Sequence, residues 1–181
     1  KNASKNIVGL INEAYKYIDR GCLGVLTSTW GDQRYFSLRE NEIFGTILTA
    51  GKSWNVKDFI YDKFIKDYGY LFYGFNDIQL EKFDKLITNL SNMVSLTYRF
   101  RIAIPPLFYT ELFKHPFPSP NFKPANKNYN QLKELGEKCL YLYEDIEHSL
   151  KFDHTNFEYI KYGAQLAKVL GEKIQTSINI S

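Results

Sequence analysis

Methionine, tryptophan, histidine and cysteine are scarce in this chain of 181 residues, which holds one Met, two Trp, three His and two Cys. Two cysteines far apart, Cys22 and Cys139, cannot make the dense disulfide framework of a small secreted domain. They are read as small core residues, Cys22 at a strand start and Cys139 on an apolar helix face, with a disulfide between them left open. His115, His148 and His154 share no motif spacing with each other or with the cysteines, so surface or loop positions are expected for them. There is no zinc pattern, Gly-rich phosphate loop or Ser/His/Asp signature, and no cofactor or metal is expected.

Long apolar runs are missing as well. Nothing approaches the roughly 18 consecutive apolar residues that cross a bilayer, so no membrane partner is expected. The opening Lys1-Asn-Ala-Ser-Lys-Asn6 lacks the apolar centre of a signal peptide and has no Met, which suggests a cut or processed start. The compartment is left open, with a soluble cytoplasmic protein slightly favoured. Charge of one sign is lacking too: the net charge is +3, with Lys and Arg interspersed among Asp and Glu. No basic stripe could track phosphates, and nucleic acid is not an expected partner. There is no internal repeat or low-complexity tract, and 44% hydrophobic with 24% charged residues is the balance of a folded protein.

Aromatic residues are what the chain does hold: 14 Tyr, 14 Phe and 2 Trp, or 17%. A ring with a polar handle suits wet interfaces and carbohydrate faces, although most of these rings are expected to fill helix-helix contacts. Apolar residues at Ile7, Val8, Ile11, Ala14, Tyr15 and Ile18 predict a one-sided helix over Ser4 to Arg20, stopped by Gly21. The apolar run Cys22 to Thr27 reads as a strand buried on both faces. A loop from Ser28 to Phe36 follows, and Ser37-Leu-Arg-Glu40 matches a capping box opening a helix from Leu38 to about Ser53.

Further helices are expected over Val56 to Tyr68 and, capped by Asn76, over residues 76 to about 94 with Ile78, Phe83, Leu86, Ile87, Leu90, Met93 and Val94 on its apolar side. Leu96 to Ile104 is ambiguous between period two and helix, and is read as helix. Pro105-Pro106 breaks it, and Pro116, Pro118, Pro120 and Pro124 predict an extended loop. Two long helices close the chain. One runs from Asn128 to Leu150 with Leu132, Leu135, Cys139, Leu142, Tyr143 and Ile146 inward. The other starts at the box Thr155-x-x-Glu158 with Phe157, Ile160, Ala164, Ala167, Leu170 and Ile174 inward, and the two should pair as an antiparallel hairpin.

The segment Val25-Leu-Thr-Ser-Thr-Trp-Gly-Asp32, taken with Ala50-Gly-Lys-Ser-Trp-Asn55, resembles the end of the catalytic barrel in family 20 glycoside hydrolases, the β-N-acetylhexosaminidases. It is most similar to a bacterial branch whose last strand ends in Thr-x-Trp-Gly-Asp and whose last barrel helix ends in Ala-x-x-x-Trp-Asn. The match covers residues 24–55. The resemblance implies that Trp30 walls the pocket for a terminal N-acetylhexosamine and that the Asp32 carboxylate accepts hydrogen bonds from its O4 and O6 hydroxyls. The chemistry suits both residues, because an indole can lie against the apolar face of a pyranose and a charged acceptor is strong and directional. Gln33, Arg34 and Tyr35 depart from the smaller or acidic residues that the branch more often carries. Trp54 is expected in the core.

The family reaction is retaining hydrolysis in which the substrate's own acetamido oxygen attacks the anomeric carbon. It needs a consecutive Asp-Glu pair at a strand end, and this chain has none. Glu144-Asp145 is read as a solvated helix face, and Arg99 and Arg101 likewise. The expected fold is therefore mainly α: residues 1–55 form the last α-β-α segment of a (β/α)8 barrel, a short β/α remnant, and residues 56–181 form a helical domain. A complete barrel needs about 250 residues, so the chain is expected to be inactive alone. Its lone strand should be covered by loops, paired with Tyr70 to Tyr73, or shared with a second copy in a homodimer. The expected partners are the remainder of the barrel and a carbohydrate. The rival readings are a non-catalytic helical protein-interaction module and another (β/α)8 glycosidase family that also ends a strand with tryptophan at the sugar pocket.

Overall fold

The computed structural model describes residues 3–26, 43–99 and 128–180. Among them are six α-helices: α1 (Ala3–Tyr15), α2 (Ile43–Trp54), α3 (Tyr61–Tyr73), α4 (Asp77–Arg99), α5 (Asn128–Ile146) and α6 (His154–Ile180). Single 3-10 turns follow α1 (Ile18–Arg20) and α5 (Glu147–Ser149), and the described residues contain no strand. The fold is mainly α.

The centre is two helical hairpins, α3–α4 and α5–α6, packed through α4 and α5. Asn76 opens α4 as a full capping box: its Oδ1 accepts from the Ile78 and Gln79 N–H groups, and Gln79 Oε1 accepts from the Asn76 N–H. Gly74 ends α3 at φ 71°, donating its N–H to the Gly69 and Tyr70 carbonyls, a left-handed cap that favours glycine. In the second hairpin, Lys133 pairs with Glu172 at 3.8 Å and Lys168 with Glu137 at 4.0 Å, so α5 and α6 run antiparallel as expected. The hairpin ends meet where the Lys151 N–H donates to the Tyr73 carbonyl at 3.0 Å.

Rings fill the space between the hairpins. Phe157 of α6 stacks on Tyr143 of α5 at 4.7 Å and meets Tyr73 edge-on at 5.0 Å, while Phe83 of α4 lies 5.4 Å from Tyr73 and 6.2 Å from Tyr68. Phe75, Phe83, Phe157, Leu86, Leu132, Cys139, Ile146 and Leu170 are fully buried around them. The inward faces expected for α5 and α6 are the ones observed, with Leu135, Leu142 and Ile160 partly buried against the core. On α4, Leu80 is buried and Ile78 exposed, the reverse of the expected assignment for Ile78.

α1 and α2 pack on each other and on the α3–α4 hairpin. Phe44 meets Tyr68 at 5.1 Å and Phe64 at 5.9 Å, and the hydroxyls of Ser4 and Ser91 are 2.6 Å apart. Lys52 is buried at the end of α2, donating to the Val56 carbonyl at 2.5 Å with its ammonium 5.3 Å from the Phe59 ring centre. A cation there satisfies a carbonyl just beyond the negative end of the helix and gains from the ring face.

Several expectations are corrected. The first helix ends at Tyr15 and finishes in the 3-10 turn, with Gly21 left-handed at φ 92°. The described part of the expected strand, residues 22–26, is not a strand, and Leu23 and Leu26 are 102% and 93% exposed. A strand exists by exchanging hydrogen bonds with a neighbour, and among the described residues there is no neighbour to offer them. Tyr70 to Tyr73, named as one such neighbour, is the last turn of α3. Cys22 is accordingly not a core residue: it is partly exposed, and its thiol donates to the Gly24 carbonyl at 3.6 Å.

The expected helix over 56–68 lies at Tyr61–Tyr73. α4 runs on to Arg99, and the helix of Leu38 to Ser53 is seen from Ile43 to Trp54. α6 starts at His154, so Thr155 is inside its first turn and not at its cap. The Ser37–Glu40 box, the Pro-rich loop, His115 and Arg101 fall outside the described residues.

Two measurements test this packing. A Cβ on Gly136 would lie 2.8 Å from the Lys168 backbone nitrogen and 2.9 Å from the Ala164 oxygen, whereas one on Gly163 meets nothing within 4 Å. Urea unfolding of Gly136→Ala should show a loss of about 1–3 kcal/mol, and Gly163→Ala a gain of about 1 kcal/mol. Burial pushes the Cys139 thiol up to about 12, and both cysteines are free. A water-soluble disulfide reagent should therefore label Cys22 in the folded protein and Cys139 only when the chain opens. Equal fast rates for both thiols would contradict the burial of Cys139.

Candidate functional site

Trp30 and Asp32, the residues expected to hold a sugar, lie outside the described residues together with Gln33, Arg34 and Tyr35. Their flanks are described: residues 22–26 on one side and α2 on the other. Trp54, expected in the core, is 92% exposed. It stands two positions past the buried Lys52, and two positions along a helix turn a side chain to the opposite face. Glu144 and Asp145 are on the exposed face of α5 as expected, with Asp145 paired to Lys82 at 2.6 Å, and His148 and His154 are exposed. Among the described residues no three His, Cys, Asp or Glu side chains converge as a metal site, and no helix is long and apolar enough to cross a membrane.

The described residues do form one open groove, between α4 and α5, with a volume of about 770 Å³. α4 contributes Asp84, Lys85, Thr88 and Asn89, which are grouped because the helical repeat brings positions three and four apart to one side. α5 contributes Glu134, Glu137, Lys138, Tyr141 and Leu142. The antiparallel crossing of the two helices sets this pairing: Lys82 reaches Asp145, and the Cys139 thiol points at the Leu86 carbonyl, 4.0 Å away. Small, fully buried Cys139 lets the helices approach beneath the groove, while Tyr141, two positions on, stands 71% exposed beside it.

A polar cluster adjoins the groove on α4. Asp84, Thr88 and Ser91 recur at helical spacing, and Ser91 meets Ser4 of α1. The Tyr61 hydroxyl is buried close to Ser4 without a well-directed hydrogen bond, and burial raises its pKa above the ordinary phenol value. The Asp84 carboxyl is raised too, first by partial burial and then by the neighbouring Asp62, against the opposing pull of Lys66, Lys5 and Lys85.

The groove was not anticipated from sequence. Its residues are scattered over Asp84 to Leu142 and carry no motif; the one available signal was Tyr141, a tyrosine between the inward positions Cys139 and Tyr143. Compared with protein-family models, with curated proteins and with solved structures, the chain matches none.

The Asp84 shift has a sign that can be tested. A carboxyl whose folded pKa lies above its unfolded value of about 3.9 favours folding when protonated, and that contribution is lost as pH rises through the folded value. Asp84→Asn should therefore melt at a higher temperature than the parent at pH 7, and the gap should close as the pH falls towards about 4. A parent that melts above Asp84→Asn at pH 7 would mean that the lysines outweigh burial and Asp62.

Proposed function

We propose that the chain is the C-terminal part of a glycoside hydrolase resembling the β-N-acetylhexosaminidases of family 20. In this reading Trp30 and Asp32 help to hold the terminal N-acetylhexosamine, and the catalytic acid and its neighbouring aspartate come from elsewhere in the intact enzyme. The observation that carries the reading is the sequence Val25 to Asp32 followed by Ala50 to Asn55. The family chemistry is substrate-assisted, so Trp30 and Asp32 bind and orient the ring and take no part in proton transfer.

Apolar exposure supports it. Among the described residues, nine of the fifteen large exposed apolar side chains lie between Leu10 and Ile60, including Tyr17, Ile18, Leu23, Val25, Leu26 and Trp54. Exposed apolar side chains of this kind are what other barrel elements would cover.

The rival, a helical protein-interaction module, is favoured by a second apolar group: Tyr70, Leu71, Ile78 and Phe152 are exposed where the two hairpin ends meet. Assaying the protein that contains this sequence, isolated from its source, separates the two. Hydrolysis of an aryl N-acetyl-β-hexosaminide is expected, with none of the 2-hydroxy analogue, because the acetamido oxygen is the nucleophile. Trp30→Ala should lower kcat/KM about 100-fold and Asp32→Asn about 10-fold. An active enzyme indifferent to Trp30→Ala would overturn the assignment of the pocket, and equal rates on the 2-hydroxy analogue would place the protein in another glycosidase family.

A further inference from the structure

α1 is held to the fold differently from the other helices. The buried cluster takes its members from α3 to α6, and Phe44 and Ile47 of α2 pack against it, but among the described residues α1 contributes none. Of its described side chains, Ile11 and Ser4 are buried. A lone helix of 13 residues is marginal in water, so α1 is helical because of the surface it lies on. Part of that surface is polar. The Ser4 and Ser91 hydroxyls meet at 2.6 Å in a buried hydrogen bond between α1 and α4, and Lys5 Nζ stands 5.7 Å from the centre of the Tyr61 ring. The Tyr61 ring packs against the core, while its hydroxyl lies close to Ser4 in the first turn of α1. Among the described residues it is the one buried side-chain nitrogen or oxygen without a well-directed hydrogen bond.

We propose that α1 is a detachable helix, lifting from α2 and α4 as one unit while both hairpins stay folded, with the Tyr61 hydroxyl weighting the balance towards the lifted state. A buried hydroxyl without a partner destabilises the arrangement that buries it, and water satisfies it once the helix leaves. Opening short of global unfolding begins where buried apolar contacts are fewest, and among these helices that place is α1. The hairpins do not need it, since Tyr73, Phe83, Tyr143 and Phe157 close on one another. Lifting uncovers Ser91 and the Tyr61 hydroxyl. Ser91 follows Asp84 and Thr88 on one side of α4, and those two line the α4–α5 groove, so the open face of α4 is longer in the lifted state. The device belongs to the helices and does not depend on what Trp30 and Asp32 bind.

Native-state hydrogen exchange of the 181-residue chain, followed amide by amide, tests this. The amides of Ile7 to Tyr15 should share one protection factor, about 100-fold below those in the middle of α4 and α5. Tyr61→Phe keeps the ring and removes the hydroxyl, so it should raise protection in α1 about tenfold. Gly163→Ala, which adds a methyl where nothing lies within 4 Å, should raise protection in α5 and α6 about fivefold and leave α1 unchanged. Equal protection in α1 and the hairpins overturns the proposal, and so does a gradient from Ile7 to Tyr15, which is fraying from one end. A Gly163→Ala variant that slows α1 as much as α6 overturns it too, because α1 then opens only with the whole chain. Unchanged or weaker protection of α1 in Tyr61→Phe does the same, since the hydroxyl would then not oppose docking.

Discussion

Phe157 is the ring on which the helical packing depends. It is fully buried on α6, with Tyr143 of α5 on one side and Tyr73 and Phe75 at 5.0 and 5.6 Å on the other. These rings come from three helices and from the turn after α3, so none can reach its place unless both hairpin ends close correctly. Gly74 turns the chain at φ 71°, and Asp153 turns it at φ 44°, an uncommon conformation for a side chain other than glycine. Truncating a buried phenylalanine costs about 3–5 kcal/mol, whereas an exposed ion pair such as Lys63–Asp67 contributes about 0–1 kcal/mol. The rings therefore decide the fold and the surface charges decorate it.

Burying tyrosines also commits their hydroxyls. Tyr68 and Tyr73 hydrogen-bond to each other, Tyr143 to Glu147, and burial pushes all three above the ordinary phenol range, Tyr143 to about 12. Each stays neutral wherever the protein is folded near neutral pH. Aromatic abundance in the sequence thus splits into two populations. Most described rings are structural, with their polar handles used up inside. A few, Tyr141 and Tyr70 among them, keep the handle in water and remain free to meet a ligand or a partner.

Legibility followed the same division. The faces of α5 and α6 could be read because one uninterrupted period of 3.6 runs from Leu132 to Ile146 and again from Phe157 to Ile174. The Asn76 cap was legible because its chemistry is local. The helix expected to stop at Tyr68 runs on to Tyr73, and Gly69 inside it is a contact: a Cβ there would lie 2.8 Å from Leu80 and 2.9 Å from Phe83, so glycine permits the close approach of α3 and α4. Thr155 lost the helix start to Asp153, whose carboxylate takes a 2.6 Å hydrogen bond from the Asn156 amide while its carbonyl accepts from the Phe157 N–H. Both misreadings arise from tertiary contacts that a local pattern does not contain. The groove was out of reach for the same reason.

The N-terminal part poses the opposite problem, a legible pattern without its context. Cys22 to Leu26 has the composition of a strand buried on both faces, and composition of that kind specifies a strand only if backbone partners and apolar cover are both supplied. Neither comes from the helices, since α3–α6 satisfy one another through their rings and Tyr70 to Tyr73 is committed to α3. Leu23, Val25, Leu26 and Trp54 are each left facing water. Leaving them so forgoes about 1.5–3 kcal/mol for each large apolar side chain that could be buried. The helical hairpins bury their rings against one another, whereas residues 22–26 and Trp54 at the end of α2 keep large apolar side chains in water.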